Sequence, residues 1–246
     1  DDEIKKLIIT FNDMISRLDQ SFEKQKQFIS DASHELRTPI SVIQGYVNLI
    51  DRWGKSDTEV LEESISSIKY ETEHMANLIK QLLFLARTDN KTQTAQLKPE
   101  DISIIAEDVV KEATVMDPKI SIKFTGNSSI AANIDEHLIK QLMWIFVDNA
   151  IKYSADKPII IDVNTGYEDG KPFFTVTDKG IGMEQENINH IFDRFYRADQ
   201  SRNKEIDGNG LGLSIAKWII EQHNGHIDVI SEIGNGSCFK ITFPQI

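Results

Sequence analysis

FISDASHELRTP, at residues 28–39, lies inside an apolar repeat that decides the fold of the first part of the chain. Steps of four and three residues alternate along this repeat, and all but two of its positions are apolar. The positions are Ile4, Ile8, Phe11, Ile15, Leu18, Phe22, Gln25, Ile29, Ala32, Leu36, Pro39, Ile43, Tyr46 and Ile50. Because a period of 3.5 residues is typical of a left-handed coiled-coil seam, we predict a single helix over about residues 3–51.

A second apolar seam follows a break at residues 53–55 (WGK). Residues 56–59 have the spacing of a capping box, in which Ser56 caps the helix and Glu59 reaches back. The seam then runs through Leu61, Ile65, Ile68, Thr72, Met75, Ile79, Leu82 and Ala86. Because a two-helix hairpin leaves part of each seam in water, we expect a homodimer that closes a four-helix bundle, in preference to docking of the hairpin onto the rest of the chain.

His34 falls at position f of the first heptad pattern, which faces water. Glu35 is adjacent and can orient the imidazole or accept its proton, and Thr38 lies one helical turn further on the same face. Pro39 removes a helical hydrogen bond beside this group. An exposed imidazole that is partly neutral near physiological pH is a competent nucleophile, whereas the alternative is a solvated histidine without a role.

The second part of the chain has the pattern of an α/β domain. Residues 91–100 are polar and are predicted to be a linker. Helical periodicity covers residues 102–115, 135–153 and 211–223. The predicted strands are 120–124, 130–133, 159–164, 173–177, 227–231 and 237–243. This order predicts a helix layer against a mostly antiparallel or mixed sheet.

A glycine-rich loop at residues 208–213 (GNGLGL) opens the last predicted helix. Glycines allow a backbone to approach phosphates closely, and the helix N-terminus offers free N–H groups and the positive end of a dipole. The preceding residues 193–207 are polar, of mixed charge, and typical of a mobile lid. From this lid Arg197, Arg202 and Lys204 could reach a triphosphate. The alternative is a flexible entry to the helix.

Two further clusters favour a nucleotide site. Residues 178–182 (DKGIG) end a strand in a tight turn, where the carboxylate can accept a hydrogen bond from an exocyclic amine and the glycines admit a flat base. Residues 148–153 (DNAIKY) supply an asparagine oxygen for Mg²⁺, a lysine for phosphate charge and a tyrosine as an apolar plate. Together with the glycine-rich loop, these clusters predict binding of a nucleoside triphosphate.

Over nearly its whole length the chain resembles sensor histidine kinases of the GHKL ATPase superfamily. The matching segments are 28–39 (H box), 148–154 (N box), 178–182 (G1 box), 192–197 (F box), 208–213 (G2 box) and 234–237 (the last glycine motif). Residues 2–14 look like the end of a HAMP module. The resemblance implies an α plus α/β fold, in which a dimeric four-helix-bundle hairpin precedes a Bergerat-type α/β sandwich that binds ATP. The implied domains are 1–21 (end of HAMP), 22–90 (dimerisation and phosphotransfer hairpin), 91–100 (linker) and 101–246 (catalytic ATP-binding domain).

The resemblance also implies the chemistry of the site. His34 would attack the γ-phosphate of ATP with Glu35 as base, and Thr38 would position a water for dephosphorylation of a partner response regulator. Asn149 would hold Mg²⁺. The implied ATP-binding residues are Asn149, Lys152, Tyr153, Asp178, Gly180, Gly182, Arg197, Gly208, Gly210, Leu211 and Gly212; of these, Lys152 and Arg197 would contact phosphates, Tyr153 the base or ribose, and Asp178 adenine.

One position departs from the family pattern. The N box often carries a second asparagine four residues before the metal-binding one, and here that position is Ile145. Asn149 would then be the sole side-chain metal ligand of that box. Mg²⁺ tolerates this, since it usually keeps waters and takes phosphate oxygens.

Composition restricts the partners. Asp and Glu outnumber Lys and Arg by 39 to 27, giving a net charge of −12, which disfavours nucleic acid as a partner. Cys238 is the single cysteine, so a disulfide framework is excluded. No apolar run is long enough for a membrane helix, so we expect the cytoplasmic portion of a protein anchored through a segment before Asp1. The expected partners are a second copy of the chain and a cognate response regulator.

Three alternatives stay open at this stage. A nucleotide-binding dimer without kinase activity would bind ATP and leave His34 unlabelled. A GHKL ATPase of the chaperone or mismatch-repair type would hydrolyse ATP to water and would lack the H box. A family member whose main activity is regulator dephosphorylation would depend most on Thr38.

Overall fold

The computed structural model describes residues 2–54, 57–116, 120–126, 129–154, 159–198 and 208–245. The chain divides into two compact units, Asp1–Leu82 and Leu83–Ile246. Within the described ranges, no helix combines the length and the apolarity that spanning a membrane requires.

Two long helices account for the first unit. Helix α1 spans Asp2–Trp53, and helix α2 spans Thr58–Asp89. The single long helix predicted from the heptad pattern is therefore confirmed, with small shifts at each end that are usual for helix termini. α1 passes through Pro39 without ending, and the Pro39 side chain is buried.

The N-terminal part of the α1 seam stays exposed in the single chain. Its seam residues between Ile4 and Ile29 have 46–63% of their surface accessible: Ile4, Ile8, Phe11, Ile15, Leu18, Phe22 and Ile29. A contiguous apolar stripe of this kind is typical of a surface that another helix covers.

The cap of α2 differs from the predicted capping box. The helix begins at Thr58, and the carboxylate Oδ1 of Asp57 accepts hydrogen bonds from the N–H groups of Glu59 at 3.0 Å and Val60 at 3.2 Å. Asp57 therefore caps the helix, and Ser56, to which the prediction gave this role, lies outside the described residues. The physical reason is position, since the residue directly before the helix reaches the first free N–H groups.

In the described part of the second unit, five strands form a mixed sheet in the order β2-β4-β5-β7-β6. The strands are β2 Ile120–Gly126, β4 Ile159–Glu168, β5 Lys171–Asp178, β6 His226–Glu232 and β7 Gly236–Thr242. β2 runs parallel to β4, and the other neighbouring pairs are antiparallel. The helices of this unit are α3 Ile102–Met116, α4 Glu136–Lys152, α5 Gln185–Ile188 and α6 Gly212–Gln222. The predicted mixed sheet with a helix layer is confirmed.

A small second sheet occupies part of the predicted linker. Strand β1, Lys98–Asp101, pairs antiparallel with β3, Ala131–Ile134, so the C-terminal end of the 91–100 segment is ordered structure. The sequence does not reveal β1, because Pro99 within a polar run is typical of a linker. In a two-stranded pair, however, a proline is tolerated, because every strand is an edge strand.

Aromatic side chains form the core between the helices and the sheet. Phe146 of α4 is fully buried and stacks on Phe239 of β7, with ring centroids 4.9 Å apart. Phe174 of β5 and Phe243 extend this cluster at centroid distances of 6.4 Å and 6.1 Å. Because alternate residues of β5 point inward, Asp178 ends the same buried row as Phe174. The core thus sets α4 over the sheet and brings a carboxylate to the end of its buried face.

The last turns of α2 belong to the second unit. The ring of Phe84 meets the ring of Trp218, on α6, edge to face at a centroid distance of 5.2 Å. The guanidinium of Arg194 donates to both carboxylate oxygens of Asp89, at 2.7 and 2.9 Å. An aromatic contact and a bidentate ion pair therefore hold the C-terminal end of α2 within the second unit.

Candidate functional site

The histidine of the quoted motif lies on the solvent side of α1. His34 and Thr38 are exposed, Glu35 is half-buried, and Pro39 is buried. The heptad position therefore predicted the exposure of His34 correctly. An accessible imidazole beside a carboxylate on a rigid helix is an arrangement that suits nucleophilic chemistry.

Asp178 is the buried last residue of strand β5 in the second unit. The residue is 6% exposed, and its Oδ1 accepts hydrogen bonds from the N–H groups of Gly180 at 2.7 Å and Ser237 at 3.3 Å. Burial raises the pKa of the Asp178 carboxyl above its ordinary value, and these backbone hydrogen bonds oppose that rise. Its second oxygen, Oδ2, accepts no hydrogen bond from another residue in the described part of the chain.

Backbone segments meet at van der Waals distance around this carboxylate. Gly182 has φ of +65°, and a Cβ placed there would lie 1.9 Å from the carbonyl oxygen of Glu232. Gly236 has φ of +88°, and its Cβ would lie 2.1 Å from the carbonyl oxygen of Asp178. Only glycine fits at either position, so the 178–182 loop and the β6–β7 turn form one continuous wall.

The C-terminal end of α4 is joined to the same loop. The N–H of Ile181 donates to the carbonyl oxygen of Tyr153 at 3.0 Å, which brings the N box and the G1 box together. Asn149 and Lys152 are half-buried, and the Lys152 ammonium contacts the carboxylate of Asp148 at 2.6 Å. Tyr153 keeps 36% of its surface exposed, so its ring is available as an apolar plate.

The F box and the G2 box are also connected. Phe195 donates its N–H to the carbonyl oxygen of Gly210 at 3.0 Å, and the N–H of Leu211 donates to Oδ1 of Asn209 at 3.1 Å. The Leu211 side chain is fully buried, so any contact with a nucleotide falls to its backbone. Arg197 is half-buried. Of the lid cations, Arg202 and Lys204 lie outside the described residues.

The N-box departure has a packing role. The Cγ2 atom of Ile145 lies 3.5 Å from the position that a Cβ on Gly212 would occupy. Ile145 therefore packs against the first residue of α6, close to the glycine-rich loop with Gly208 and Gly210. An apolar side chain here supports the loop sterically, where an amide would have offered a polar ligand.

The site offers few side-chain ligands for Mg²⁺. Among the described residues, no group of three or more His, Cys, Asp or Glu side chains could hold a metal ion. Asn149 supplies one amide oxygen, and Mg²⁺ usually binds through one or two protein ligands, substrate phosphates and waters. The residues present therefore fit a Mg²⁺ ion that arrives with a triphosphate.

Two serines of this site, Ser231 and Ser237, were not predicted from the sequence. Ser237, whose N–H bonds Asp178, belongs to the recognised last glycine motif and was given no role. Ser231 is 7% exposed on β6, and its hydroxyl contacts both the N–H of Met183 and the hydroxyl of Ser237. Alternate residues of β6 point inward, and Ser231 is a polar residue at one of these inward positions. This pattern in the sequence would have identified Ser231 as a candidate site residue.

These features define a class of protein: a long helical hairpin with an exposed histidine, followed by an α/β unit whose glycine loops close around a buried aspartate. Two family models match the chain. The His Kinase A (phospho-acceptor) domain covers residues 24–91, and the Histidine kinase-, DNA gyrase B-, and HSP90-like ATPase covers residues 134–246. The chain belongs to the sensor histidine kinase family. Neither model reaches residues 1–23, so the HAMP relationship stays a prediction.

Individual relatives agree with this assignment. The chain is 42% identical over 244 residues to the sensor histidine kinase YkoH of Bacillus subtilis (strain 168), covering 99% of this chain and 53% of YkoH. It therefore spans about half the length of this curated relative. The Acinetobacter baumannii histidine kinase AdeS shares the fold with a TM-score of 0.66 and 24% identity, over 86% of this chain and 98% of AdeS. The histidine kinase ThkA, solved in complex with the response regulator protein TrrA, has a TM-score of 0.70 and 21% identity over 89% of this chain and 61% of ThkA.

Proposed function

We propose that this chain is the kinase portion of a two-component sensor: it transfers the γ-phosphoryl group of Mg-ATP to His34 and then to an aspartate of a response regulator. The observation that carries the proposal is the buried Asp178 carboxylate beside closely packed glycine backbone, because it offers an acceptor to the exocyclic amine of adenine. The family supports the second transfer, as does the complex in which ThkA holds TrrA. We keep the domain boundaries 1–21, 22–90, 91–100 and 101–246 as part of this proposal.

In the first step an imidazole nitrogen of His34 attacks the γ-phosphorus, and the bond from that phosphorus to the bridging oxygen breaks, releasing ADP. Glu35 accepts the proton that the imidazole loses. Lys152 and Arg197 bind phosphate oxygens, and Asn149 would hold Mg²⁺, which when bound would supply positive charge beside the phosphates. Gly208, Gly210 and Gly212 supply N–H groups in the loop that leads into α6, and Leu211, whose N–H bonds Asn209, supports that loop.

Dimerisation is part of the proposal. The exposed apolar seam residues of α1 support a second copy of the chain as the partner that completes a four-helix bundle. We further propose that Thr38 positions a water for dephosphorylation of the regulator, since it is exposed one helical turn from His34. A location on the cytoplasmic side of a membrane, with the anchor in another part of the protein, completes the proposal.

The decisive experiment incubates the full chain with Mg²⁺ and ATP labelled in the γ-phosphate. We expect an acid-labile, alkali-stable phosphoprotein that is lost in His34→Gln and kept in the matched variant His74→Gln, which changes the other histidine of the hairpin. Labelling that survives in His34→Gln would refute the assignment. ATP binding without labelling of the native chain would favour the catalytically silent dimer.

Two further variants separate the proposed activities. Thr38→Ala is expected to keep autophosphorylation and to slow dephosphorylation of the cognate regulator; equal loss of both would contradict the separate role. Mixed dimers of His34→Gln with Asn149→Ala are expected to be labelled if one subunit phosphorylates its partner, and unlabelled if each subunit phosphorylates itself. The mixed dimers also test dimerisation, because monomers could never complement one another.

A further inference from the structure

Three polar residues form a row across neighbouring strands at the nucleotide end of the sheet. Thr177 of β5 pairs with Cys238 of β7, which brings the next residues, Asp178 and Ser237, opposite one another. Ser237 in turn pairs with Ser231 of β6. All three of Asp178, Ser237 and Ser231 are less than 9% exposed and lie on the buried face of the sheet. A base bound against Asp178 would therefore also meet the Ser237 hydroxyl.

Three hydrogen-bonding partners surround the Ser231 hydroxyl, which has one proton to donate. Its Oγ accepts from the N–H of Met183 at 2.9 Å and donates to the carbonyl oxygen of Gly236 at 3.1 Å. Its remaining contact is with Oγ of Ser237 at 2.9 Å. A hydroxyl has one proton and two acceptor sites, and the proton of Ser231 is already used. With that proton on the Gly236 carbonyl, the Ser237 hydroxyl is the donor in the contact between the two serines.

This direction leaves Ser237 with acceptor capacity only. No other described residue bonds the Ser237 hydroxyl, so its free lone pairs are what it offers to a ligand. Asp178, as a carboxylate, likewise accepts. The wall thus presents acceptors from both residues, which complement an exocyclic amine and oppose a carbonyl oxygen at the same place on the base. Adenine carries an amine at its 6-position, and guanine carries a carbonyl oxygen there.

We propose that Ser231 is a positioning residue for base selection: by taking the Ser237 proton, it makes Ser237 an acceptor and favours a 6-amino purine over a 6-oxo purine. The inference rests on the proposed function, since it concerns the same nucleotide site. Ser231 acts through Ser237 and through the Met183 N–H of the G1 loop.

Removal of the Ser231 hydroxyl changes the hydrogen bonding of both Met183 and Ser237. In Ser231→Ala the Met183 N–H loses its acceptor, and the Ser237 hydroxyl is free to turn and donate to a carbonyl oxygen. ATP binding should weaken while GTP binding gains a donor. The ratio of the two dissociation constants should change by about tenfold, the factor that corresponds to one typical hydrogen bond.

The test measures dissociation constants of Mg²⁺-ATP and Mg²⁺-GTP for the full chain by calorimetry. Ser231→Thr keeps a hydroxyl at the same atom and should restore the native preference for ATP. Ser103→Ala is the matched control, because Ser103 is also a buried serine of the second unit. Its hydroxyl is hydrogen-bonded to Thr165 of β4, a strand that β5 and β7 separate from β6. The control should leave the ATP-to-GTP preference unchanged even where it lowers stability.

The outcomes distinguish a failure of the proposed function from a failure of the base-selection role of Ser231. A native chain that does not bind ATP overturns the proposed function, and this inference with it. Native ATP binding with an unchanged preference in Ser231→Ala, or an equal weakening of ATP and GTP, overturns the inference alone and leaves Ser231 a structural residue. If the alanine variant does not fold, Ser231→Cys serves in its place, because a thiol of similar size is a weak donor and acceptor and should produce the same loss of preference.

Discussion

His223 offers a sharp test of how the second unit is held together. The imidazole is 2% exposed at the end of α6, and its Nε2 accepts the N–H of Asp135 at 3.0 Å. Its Nδ1 donates to the carbonyl oxygen of Ile219 at 2.7 Å. These bonds need the neutral ring, and burial lowers the pKa of His223, against the smaller opposing effects of the Ile219 hydrogen bond and of the Asp135 charge.

The perturbation is His223→Ala, which leaves the Asp135 N–H without an acceptor at the start of α4. A buried donor left unpaired costs about 1–3 kcal/mol, and loss of the edge-to-face contact with Phe243 costs about 0.5–1.5 kcal/mol more. Near pH 8 the free energy of unfolding of the second unit should fall by about 2–4 kcal/mol.

The pH dependence has a definite sign. Above about pH 6.5 the histidine is neutral in both states, and its full contribution is present. As the pH falls towards the lowered pKa of the folded state, His223 binds a proton in the unfolded chain but stays neutral in the folded chain. The native stability then falls by at most about 1.4 kcal/mol per pH unit. Because His223→Ala lacks this component, the difference between native and variant should shrink as the pH is lowered.

The assay is urea unfolding at several pH values, followed by the fluorescence of Trp144 and Trp218, which both belong to the second unit. His226→Ala is the matched control, since the His226 side chain is 75% exposed and should contribute little. A stability difference between native and His223→Ala that stays constant from about pH 8 to pH 5.5, or a loss below about 1 kcal/mol, would refute the reasoning.

The remaining predictions concern the core, the α2 anchor and the pocket wall. Phe146→Ala should lower the free energy of unfolding by about 3–5 kcal/mol in the same urea assay, whereas Ile230→Ala, at a side chain 73% exposed, should change it by less than about 0.5 kcal/mol. A double-mutant cycle of Asp89→Ala and Arg194→Ala should give a coupling energy of about 0.5–1 kcal/mol, and strict additivity would show that the bidentate pair contributes nothing. Gly182→Ala should abolish ATP binding measured by calorimetry, since its methyl group would lie 1.9 Å from a carbonyl oxygen of β6; native affinity in this variant would contradict the proposed wall.

Periodicity in the sequence was sufficient for the long helices and for most of the sheet, whereas the four-residue helix α5 was not predicted. The heptad seam predicted α1 and the exposure of His34, and alternating apolar runs located the strands of the five-stranded sheet. Those signals are repeated many times, so single exceptions such as Pro39 do not hide them. The glycine boxes likewise predicted which segments converge. Where two backbone segments pack closely, as at Gly182, only glycine fits, and a glycine can be seen in the sequence.

Features that depend on one long-range contact were not predictable in this way. β1 exists because β3 pairs with it, and nothing within Lys98–Asp101 indicates that partner. The role of His223 depends on a hydrogen bond from Asp135, which is distant in sequence, so no local pattern around His223 reveals it. The same is true of Ser231, because its proposed role depends on a contact with the hydroxyl of Ser237 on the neighbouring strand.

The attachment of the last turns of α2 to the ATPase unit has a consequence for recombination between kinases. A chimera that joins the hairpin of one protein to the ATPase of another at residue 91, where the phospho-acceptor model ends, would separate Phe84 from Trp218 and Asp89 from Arg194. A crossover just before Leu83 would carry both native pairs into the hybrid. In the architecture of this protein, the end of the second helix is inherited with the enzyme that follows it.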